Sequence, residues 1–363
     1  LENYVSQHTQ PTESIEEPLF FRSRVSEGGR IFDHSATVAI ILSCPFQQHF
    51  DLAFAGLPDG IFPPVREKPY FDGTLSFGEE TWPVRMRVRG NSSLQECPFP
   101  KLKLKINSKT REGTPLENAR EIKIGSHCAE GGLGNIGRLR HELATFREVV
   151  LYEGRQTLGF ISPRVRRATI EYHDTSDLDD PLRSEWKLTK MAFIMDHVEV
   201  IAEHLNGRAL EDEEVAALSQ AQFSEQLIIE LQLFHAMVGN WDYALSTDGK
   251  GLWNTEVIEM PDKALVPVAG DFDLAAWVTG NIRVVPPRDF LPELEDIERQ
   301  IRFETGRIAH ESDIVVFDTA RDRFMSKRAE LELLVNTAEI DIEGRDFIRH
   351  HLELFFESLE SFR

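Results

Sequence analysis

Cysteine is scarce in this sequence, with three residues among 363. Cys44, Cys97 and Cys128 form no CxxC motif and have no zinc-ligand spacing, so the sequence predicts neither a zinc site nor a disulfide framework. We expect buried free thiols. A Cys97–Cys128 bridge is the alternative if the protein is exported, and it would leave Cys44 free.

Long apolar runs and an excess of positive charge are missing as well. The longest apolar run, 36–42, is far shorter than the roughly 20 residues that span a bilayer, so we expect a buried strand there and no membrane span. The 61 acidic residues outnumber the 40 Lys and Arg, and the formal net charge is −21. This balance disfavours nucleic acid as a partner. We expect most of the charge on the solvated surface, and a basic protein substrate is the functional alternative.

The cellular compartment is left open by the sequence. No signal peptide is visible, but the chain opens at Leu1 rather than Met, which is compatible with a trimmed leader. A secreted, periplasmic or cell-envelope location is favoured over the cytoplasm. The oligomeric state is left open too.

Two kinds of periodicity divide the chain. In the first half apolar and polar residues alternate, which predicts strands at 36–44, 70–77, 82–89, 101–106, 121–125, 164–172 and 187–195, with a helix over 138–152. From Glu211 apolar residues recur at helical spacing, in a buried helix that ends at Gly239 and in helices near 289–305, 313–336 and 343–360. We predict an α+β fold of two lobes with a cleft between them. The predicted parts are a loosely ordered arm (1–30), a sheet-rich N-lobe with one packed helix (31–195) and a helix-rich C-lobe (196–363).

A glycine-rich segment at 132–137 formally matches GxGxxG. A helix is expected after it, but no acidic residue ends a strand about 20 residues later, as a dinucleotide-binding unit requires. We interpret the segment as a loop that leads into the helix.

The stretch 234–277 carries the residues best suited to chemistry. Asp242 follows the buried helix, Asn254 opens one strand, and Asp271 ends the next. Phosphoryl transfer requires a metal held by oxygen ligands and a carboxylate that orients the acceptor hydroxyl. Asp271 and Asn254 are candidate metal ligands, Asp273 is a less definite third, and Asp242 is the candidate orienting carboxylate. The structural alternative is that Asp242 and Asn254 are turn residues and Asp271 caps a helix.

The segment KLKLKI (101–106) places three lysines on one face of a strand and apolar residues on the other. One interpretation is an edge strand whose solvated lysines prevent edge-to-edge pairing. The alternative is that one lysine turns into a cleft to contact phosphate. The sequence does not decide which of Lys101, Lys103 and Lys105 this would be.

Five segments, in this order, resemble the spore-coat protein H (CotH) kinase family, an atypical branch of the protein-kinase-like fold. They are RVRGNSS (87–93), FPKLKLKI (99–106), GNWDYALS (239–246), LWN (252–254) and GDFDLAAW (270–277). The matching stretch covers over half of the chain, and the RGN, N-x-D and DFD blocks are fairly specific in this order. The resemblance implies a two-lobed kinase-like fold that uses ATP with Mg²⁺, or Mn²⁺ as the second candidate metal. It also implies transfer of phosphate to a Ser or Thr of a protein substrate.

The resemblance assigns roles to individual positions. Asp242 matches the catalytic aspartate, while Asp271 and Asn254 match the metal-binding pair, with Asp273 completing the DFD block. Lys103 falls at the phosphate-contacting basic residue, with Lys101 and Lys105 as rivals. The helix residue that would pair with this lysine is Glu148. The positions that would contact the nucleotide are Gly90, Asn91 and Ser92 in the phosphate-covering hairpin and Met195 in the hinge.

Two neighbourhoods depart from the family pattern. Many members have a histidine near the catalytic aspartate or just before the asparagine, where this chain has Tyr243 and Trp253. The first hypothesis is an active ATP-dependent protein kinase. The second is a catalytically weak or inactive pseudokinase that binds nucleotide or serves as an interaction protein. The third is a small-molecule or sugar kinase, because a fold does not fix its substrate.

Overall fold

The computed structural model describes residues 30–33, 36–55, 68–90, 99–125, 144–176, 186–244, 252–280 and 297–362. The predicted arm up to residue 29, the glycine-rich segment 132–137, Cys97 and Cys128 lie outside these ranges. The described residues form two compact units. The first holds the chain up to 125 with 144–146 and 164–200, and the second holds 147–163 and 201–362.

The first unit is built on a closed sheet of seven strands. These are β1 (Val38–Cys44), β2 (Phe71–Phe77), β3 (Glu80–Val88), β4 (Leu102–Lys105), β5 (Glu121–Gly125), β6 (Val165–Asp174) and β7 (Lys187–Asp196). Their order is β1-β2-β3-β4-β5-β7-β6, and parallel pairing of β6 with β1 closes the ring. The other pairs are antiparallel. Six of the seven predicted strands thus differ from the structure only by a few residues at their ends, and 121–125 agrees in full.

Alternation along the strands explains which face is buried. In β3, Val84, Met86 and Val88 are buried while Arg85 and Arg87 lie on the other face, as a period of two requires. The inward residues join the hydrophobic core of this unit, together with the aromatic side chains Phe46, Phe50, Phe99 and Tyr172.

The helices follow in chain order. They are α1 (Phe46–Phe54), α2 (Ser108–Arg111), α3 (Ala144–Thr157), α4 (Val198–His204), α5 (Asp212–Ala216), α6 (Glu225–Val238), α7 (Ala276–Thr279), α8 (Ile297–Glu311), α9 (Ile314–Ser326), α10 (Arg328–Thr337) and α11 (Ile342–Glu360). Most of them belong to the second unit. The α+β prediction, with a sheet-rich first part and a helix-rich second part, is confirmed.

The second unit is organised around α6, which packs against α8, α9 and α11. It also contains a small sheet of β8 (Arg208–Ala209), β9 (Thr255–Glu259) and β10 (Leu265–Ala269), with β9 in the middle. The helix α6 ends at Gly239, which adopts φ 61°. A Cβ there would lie 2.6 Å from the Cβ of Ala276 and 2.8 Å from a ring carbon of His351, so both the conformation and the space require glycine.

Within the described part of the chain, none of the helices combines the length and the apolar character needed to cross a membrane.

Candidate active site

Asp242 lies in the loop that follows α6, and its side chain is held from two sides. Its own backbone N–H donates to Oδ1 of Asn240 at 3.1 Å. The indole Nε1 of Trp253 donates to Asp242 Oδ1 at 3.0 Å, and Asn254 Nδ2 donates to Oδ2 at 2.9 Å. Asn254 Nδ2 also donates to the backbone oxygen of Asp242 at 2.7 Å. Both carboxylate oxygens therefore have a donor, and the orientation of the carboxylate is fixed.

Asn254 and Asp271 flank the same end of the β9–β10 hairpin. Thr255 pairs with Ala269 at this end, and the N–H of Gly270 donates to the backbone oxygen of Asn254 at 3.0 Å. Both candidate ligands adopt the left-handed backbone region, with φ 51° for Asn254 and 56° for Asp271. This region is unfavourable for most residues with a Cβ, but Asn and Asp adopt it more readily than the others, and it occurs at turns as well as at functional sites. The structure thus brings Asp242, Asn254 and Asp271 into one small region, as residues at the ends of regular elements.

The carboxylates of this region interact electrostatically. Burial raises the pKa of Asp242 to about 6, and the negative charges of Asp273 and Asp271 act in the same direction. The hydrogen bonds from Trp253 and Asn254 oppose these effects. A carboxylate with this pKa accepts a proton more readily near neutral pH than an ordinary aspartate does.

The donor set suits a hard cation such as Mg²⁺. The amide nitrogen of Asn254 is engaged with Asp242, so its oxygen is the atom suited to a cation, and Asp271 offers a carboxylate. Among the described residues, Asp242, Asp271 and Asp273 do not form a group of three with ligand atoms within 4.8 Å of one another. A Mg²⁺ ion is commonly held by only one or two protein ligands, with water and phosphate oxygens completing its coordination.

The DFD segment is also tied to α3. Phe272 is fully buried, and its ring lies 5.0 Å from that of Tyr152 and 5.7 Å from that of Phe234. Glu148 Oε1 accepts from the N–H of Phe272 at 3.3 Å, and the Tyr152 hydroxyl accepts from the N–H of Asp271 at 3.2 Å. The side chain of Glu148 thus contacts the backbone of Phe272, the residue after Asp271. Its predicted pairing with Lys103 stays a prediction.

In the first unit, the lysine-bearing strand is an interior strand. β4 pairs with both β3 and β5, so the interpretation of 101–106 as an edge strand with solvated lysines is wrong. Lys101 and Lys103 are buried, at 5% and 7% exposure, while Lys105 is half-buried. A buried ammonium needs a partner to offset its lost hydration.

Lys103 finds two partners in the first unit. Its Nζ lies 2.5 Å from Oε2 of Glu121 on β5, and it donates to Nε2 of His197 at 3.0 Å. Burial lowers the pKa of Lys103, and Glu121 opposes that effect. Burial also lowers the pKa of His197 to about 2, helped by the charges of Lys123 and Lys103, so the imidazole is neutral and accepts from the ammonium. Lys105 Nζ lies 3.5 Å from Oε1 of Glu121.

Glu121, His197 and Glu199 have ligand atoms within 4.8 Å of one another, the spacing of a metal site. The charges of this neighbourhood argue against a cation there. The ammonium of Lys103 already contacts Glu121 and His197, and Arg87 and Lys123 are close enough to lower the pKa of that imidazole. A cation bound there would have to displace this ammonium from Glu121.

The other predicted nucleotide-contacting positions are only partly described. Gly90 follows β3 with φ 82°, a conformation that favours glycine. Asn91 and Ser92 lie outside the described residues. Met195 is buried near the end of β7. Their roles stay predictions.

Sequence reasoning missed Glu121, His197 and Tyr152. Tyr152 follows Glu148 by four residues, a spacing that puts both on one face of a helix, and this signal was available. Glu121 and His197 are placed beside Lys103 by the pairing of β5 with β4 and β7, which the sequence does not reveal.

No protein-family model and no curated protein matches this sequence. Among solved structures, the chain is similar to the crystal structure of the Helicobacter pylori proinflammatory kinase CtkA. The two are 8% identical, the match covers 72% of this chain and 95% of that chain, and the TM-score is 0.37. A similarity this distant carries no argument about the fold or the function of this chain.

Proposed function

We propose that this protein is a kinase-like phosphotransferase that uses ATP and Mg²⁺ and phosphorylates Ser or Thr of a protein substrate. The observation that supports this most directly is the arrangement of Asp242, Asn254 and Asp271. Asp242 has both oxygens held by neighbouring donors, and the two candidate metal ligands flank one hairpin end in left-handed backbone conformations. Phosphoryl transfer relies on this kind of fixed positioning and charge stabilisation.

In the proposed mechanism, Asp242 accepts a hydrogen bond from the acceptor hydroxyl and takes its proton as the hydroxyl oxygen attacks the γ-phosphorus of ATP. The bond from that phosphorus to the bridging oxygen breaks, and ADP leaves. Trp253 and Asn254 keep the carboxylate in one orientation while this happens. Asp271 and Asn254 would hold Mg²⁺, and the cation, when bound, neutralises charge on the phosphate oxygens. Lys103 is proposed as the cation that contacts phosphate. It would exchange its contact with Glu121 for phosphate oxygens.

The second candidate is a pseudokinase that binds nucleotide without turnover. The contact that favours it is the pairing of Lys103 with Glu121 and His197, because both partners compete with phosphate for this ammonium. A thermal-shift titration with ATP and a turnover assay separate the two hypotheses. Stabilisation without transfer favours the pseudokinase, since a ligand that binds only the native state raises its apparent stability.

The test of the leading hypothesis is transfer of labelled phosphate from ATP, with Mg²⁺, to a basic Ser/Thr-rich protein. Asp242→Ala and Asp271→Ala should each abolish transfer. Asp262→Ala is a matched control, because Asp262 is an exposed carboxylate in the turn at the other end of the same hairpin. Full transfer by both active-site variants would refute the assignment. Autophosphorylation seen by mass spectrometry would favour a protein substrate over a small molecule.

A further inference from the structure

Two side chains of α3 contact the backbone that carries Asp271. Glu148 and Tyr152 are four residues apart and so lie on one face of the helix. The Tyr152 hydroxyl accepts from the N–H of Asp271 at 3.2 Å and donates to Glu148 Oε1 at 3.5 Å. The same oxygen of Glu148 accepts from the N–H of Phe272 at 3.3 Å. Two consecutive backbone N–H groups are thus bound by two connected side chains.

Asp271 needs such support because of its conformation. At φ 56° its backbone is in the left-handed region, which is unfavourable for residues with a Cβ. Such a conformation persists where the surroundings determine it. Phe272 adds a second anchor, since its buried ring packs between Tyr152 and Phe234. Together these contacts fix the position of the Asp271 backbone, from which its carboxylate side chain extends.

The face of α3 that presents the two side chains is itself fixed. Arg147 is buried and makes a two-pronged contact with Asp341, at 2.8 Å from Nε and 2.6 Å from Nη2. Its Nη1 donates to the backbone oxygen of Val278 in α7, the helix that follows the DFD segment. The helix and the segment it supports are therefore held to each other at a second point.

We propose that Tyr152 and Glu148 are positioning residues that hold Asp271 in its metal-binding conformation through the N–H groups of Asp271 and Phe272. This inference rests on the proposed function, which makes Asp271 a metal ligand. It gives Glu148 a role as hydrogen-bond acceptor to the backbone, a role that its uncharged amide analogue can also fill. Residues that support metal ligands in this way typically change metal affinity about 10- to 100-fold when replaced.

The first variant is Tyr152→Phe, which removes one oxygen and keeps the ring that packs on Phe272. We expect Mn²⁺ alone, titrated by electron paramagnetic resonance, to bind about tenfold more weakly than to the wild type. In the metal-free protein, we expect hydrogen exchange at the Asp271 amide to be about fivefold faster. Tyr172→Phe is the matched control, because its hydroxyl has no hydrogen-bond partner among the described residues.

The second pair of variants separates hydrogen bonding from charge. Glu148→Gln keeps an acceptor for the Phe272 N–H, so its Mn²⁺ affinity should stay within about threefold of the wild type. Glu148→Ala loses the acceptor and should resemble Tyr152→Phe. If Tyr152→Phe does not fold, the comparison of Glu148→Gln with Glu148→Ala still tests the proposal.

Unchanged Mn²⁺ affinity in Tyr152→Phe overturns the proposal, and so does a wild type that binds no Mn²⁺. Equal weakening in Glu148→Gln and Glu148→Ala also overturns it, because charge would then be what matters. The proposed function can fail independently of this inference. That would be the case if the wild type binds Mn²⁺ and the variants weaken binding as expected, but the wild type transfers no phosphate.

Discussion

Asp242 should be a residue whose charge destabilises the folded protein, and Asp242→Asn tests this. Burial and two neighbouring carboxylates raise its pKa to about 6 from the ordinary 3.8, so the folded state binds a proton more tightly than the unfolded state. For a carboxyl group of this kind, the free energy of unfolding decreases as pH rises from about 4 to about 6. The stabilising contribution is fully present only below the unfolded pKa. The variant has no proton to lose and should lack this decrease.

The size of the effect follows from the shift. About two pKa units at 1.36 kcal/mol each give roughly 3 kcal/mol, and the partial exposure of Asp242 reduces this to about 2 kcal/mol. Asparagine offers one oxygen where the aspartate offers two, so either Trp253 or Asn254 loses a bond worth about 1 kcal/mol. We therefore expect Asp242→Asn to be more stable than the wild type by about 1 kcal/mol at pH 8 and less stable by about 0.5 kcal/mol at pH 4.

The assay is urea unfolding of both proteins between pH 4 and pH 8, followed by circular dichroism. The difference between the two free energies of unfolding is the informative quantity, because titrating groups distant from Asp242 contribute equally to both. Asp271 and Asp273, whose charges act on Asp242, are the exceptions. The difference should change sign near pH 4.5, where about half of the decrease has accumulated. Asp262→Asn controls for the loss of a carboxylate, because Asp262 is exposed in the turn of the β9–β10 hairpin. A difference that stays constant across this pH range would refute the reasoning.

The remaining predictions concern three other contacts. Glu121→Gln removes a negative charge that raises the pKa of Lys103, so more of the Lys103 amine is uncharged at pH 8. Acetic anhydride should then acetylate Lys103 several-fold faster, as measured by mass spectrometry. An unchanged rate would contradict this. Arg147→Ala leaves Asp341 without its buried partner and should lower the free energy of unfolding by about 3 kcal/mol in urea titrations, whereas a loss below about 1 kcal/mol would mean that the pair contributes little. Gly239→Ala combines an unfavourable φ with close contacts, so it should lower the free energy of unfolding by about 2–3 kcal/mol and lower the thermal midpoint accordingly. A variant as stable as the wild type would show that the backbone at Gly239 can shift to make room for the Cβ.

Much of the fold was predictable because local patterns determine it. The alternation of apolar and polar residues predicted the strands of the first unit. Helical spacing of apolar residues, with Gly239 as the stop, predicted α6, and the structure places Gly239, the residue after the helix, in the left-handed region. The helix predicted near 313–336 is instead two helices, α9 and α10, which meet at Lys327. Lys327 is a residue compatible with a helix interior, so composition gave no sign of the break.

The candidate site was predictable in part for the same reason. Asn254 and Asp271 flank the two strands of one hairpin, and a hairpin brings its two ends together. Asp242 comes before the hairpin and joins them through hydrogen bonds with Trp253 and Asn254. The partners of Lys103 were not predictable, because Glu121 is reached through strand pairing across 18 positions of sequence. Such contacts depend on register, and register is set by packing of the whole sheet.

The closed ring of seven strands restricts how another chain can bind to this protein. Strand addition requires an unpaired edge, and among the described strands of the first unit each has two neighbours. The small sheet has two edges, but β8 is only two residues long and β10 contains Pro267, which lacks the N–H that an added strand would need. An extended peptide would therefore be recognised through its side chains and not by backbone pairing with these sheets. Its specificity would depend on pockets and charges, which single substitutions can change without refolding a sheet.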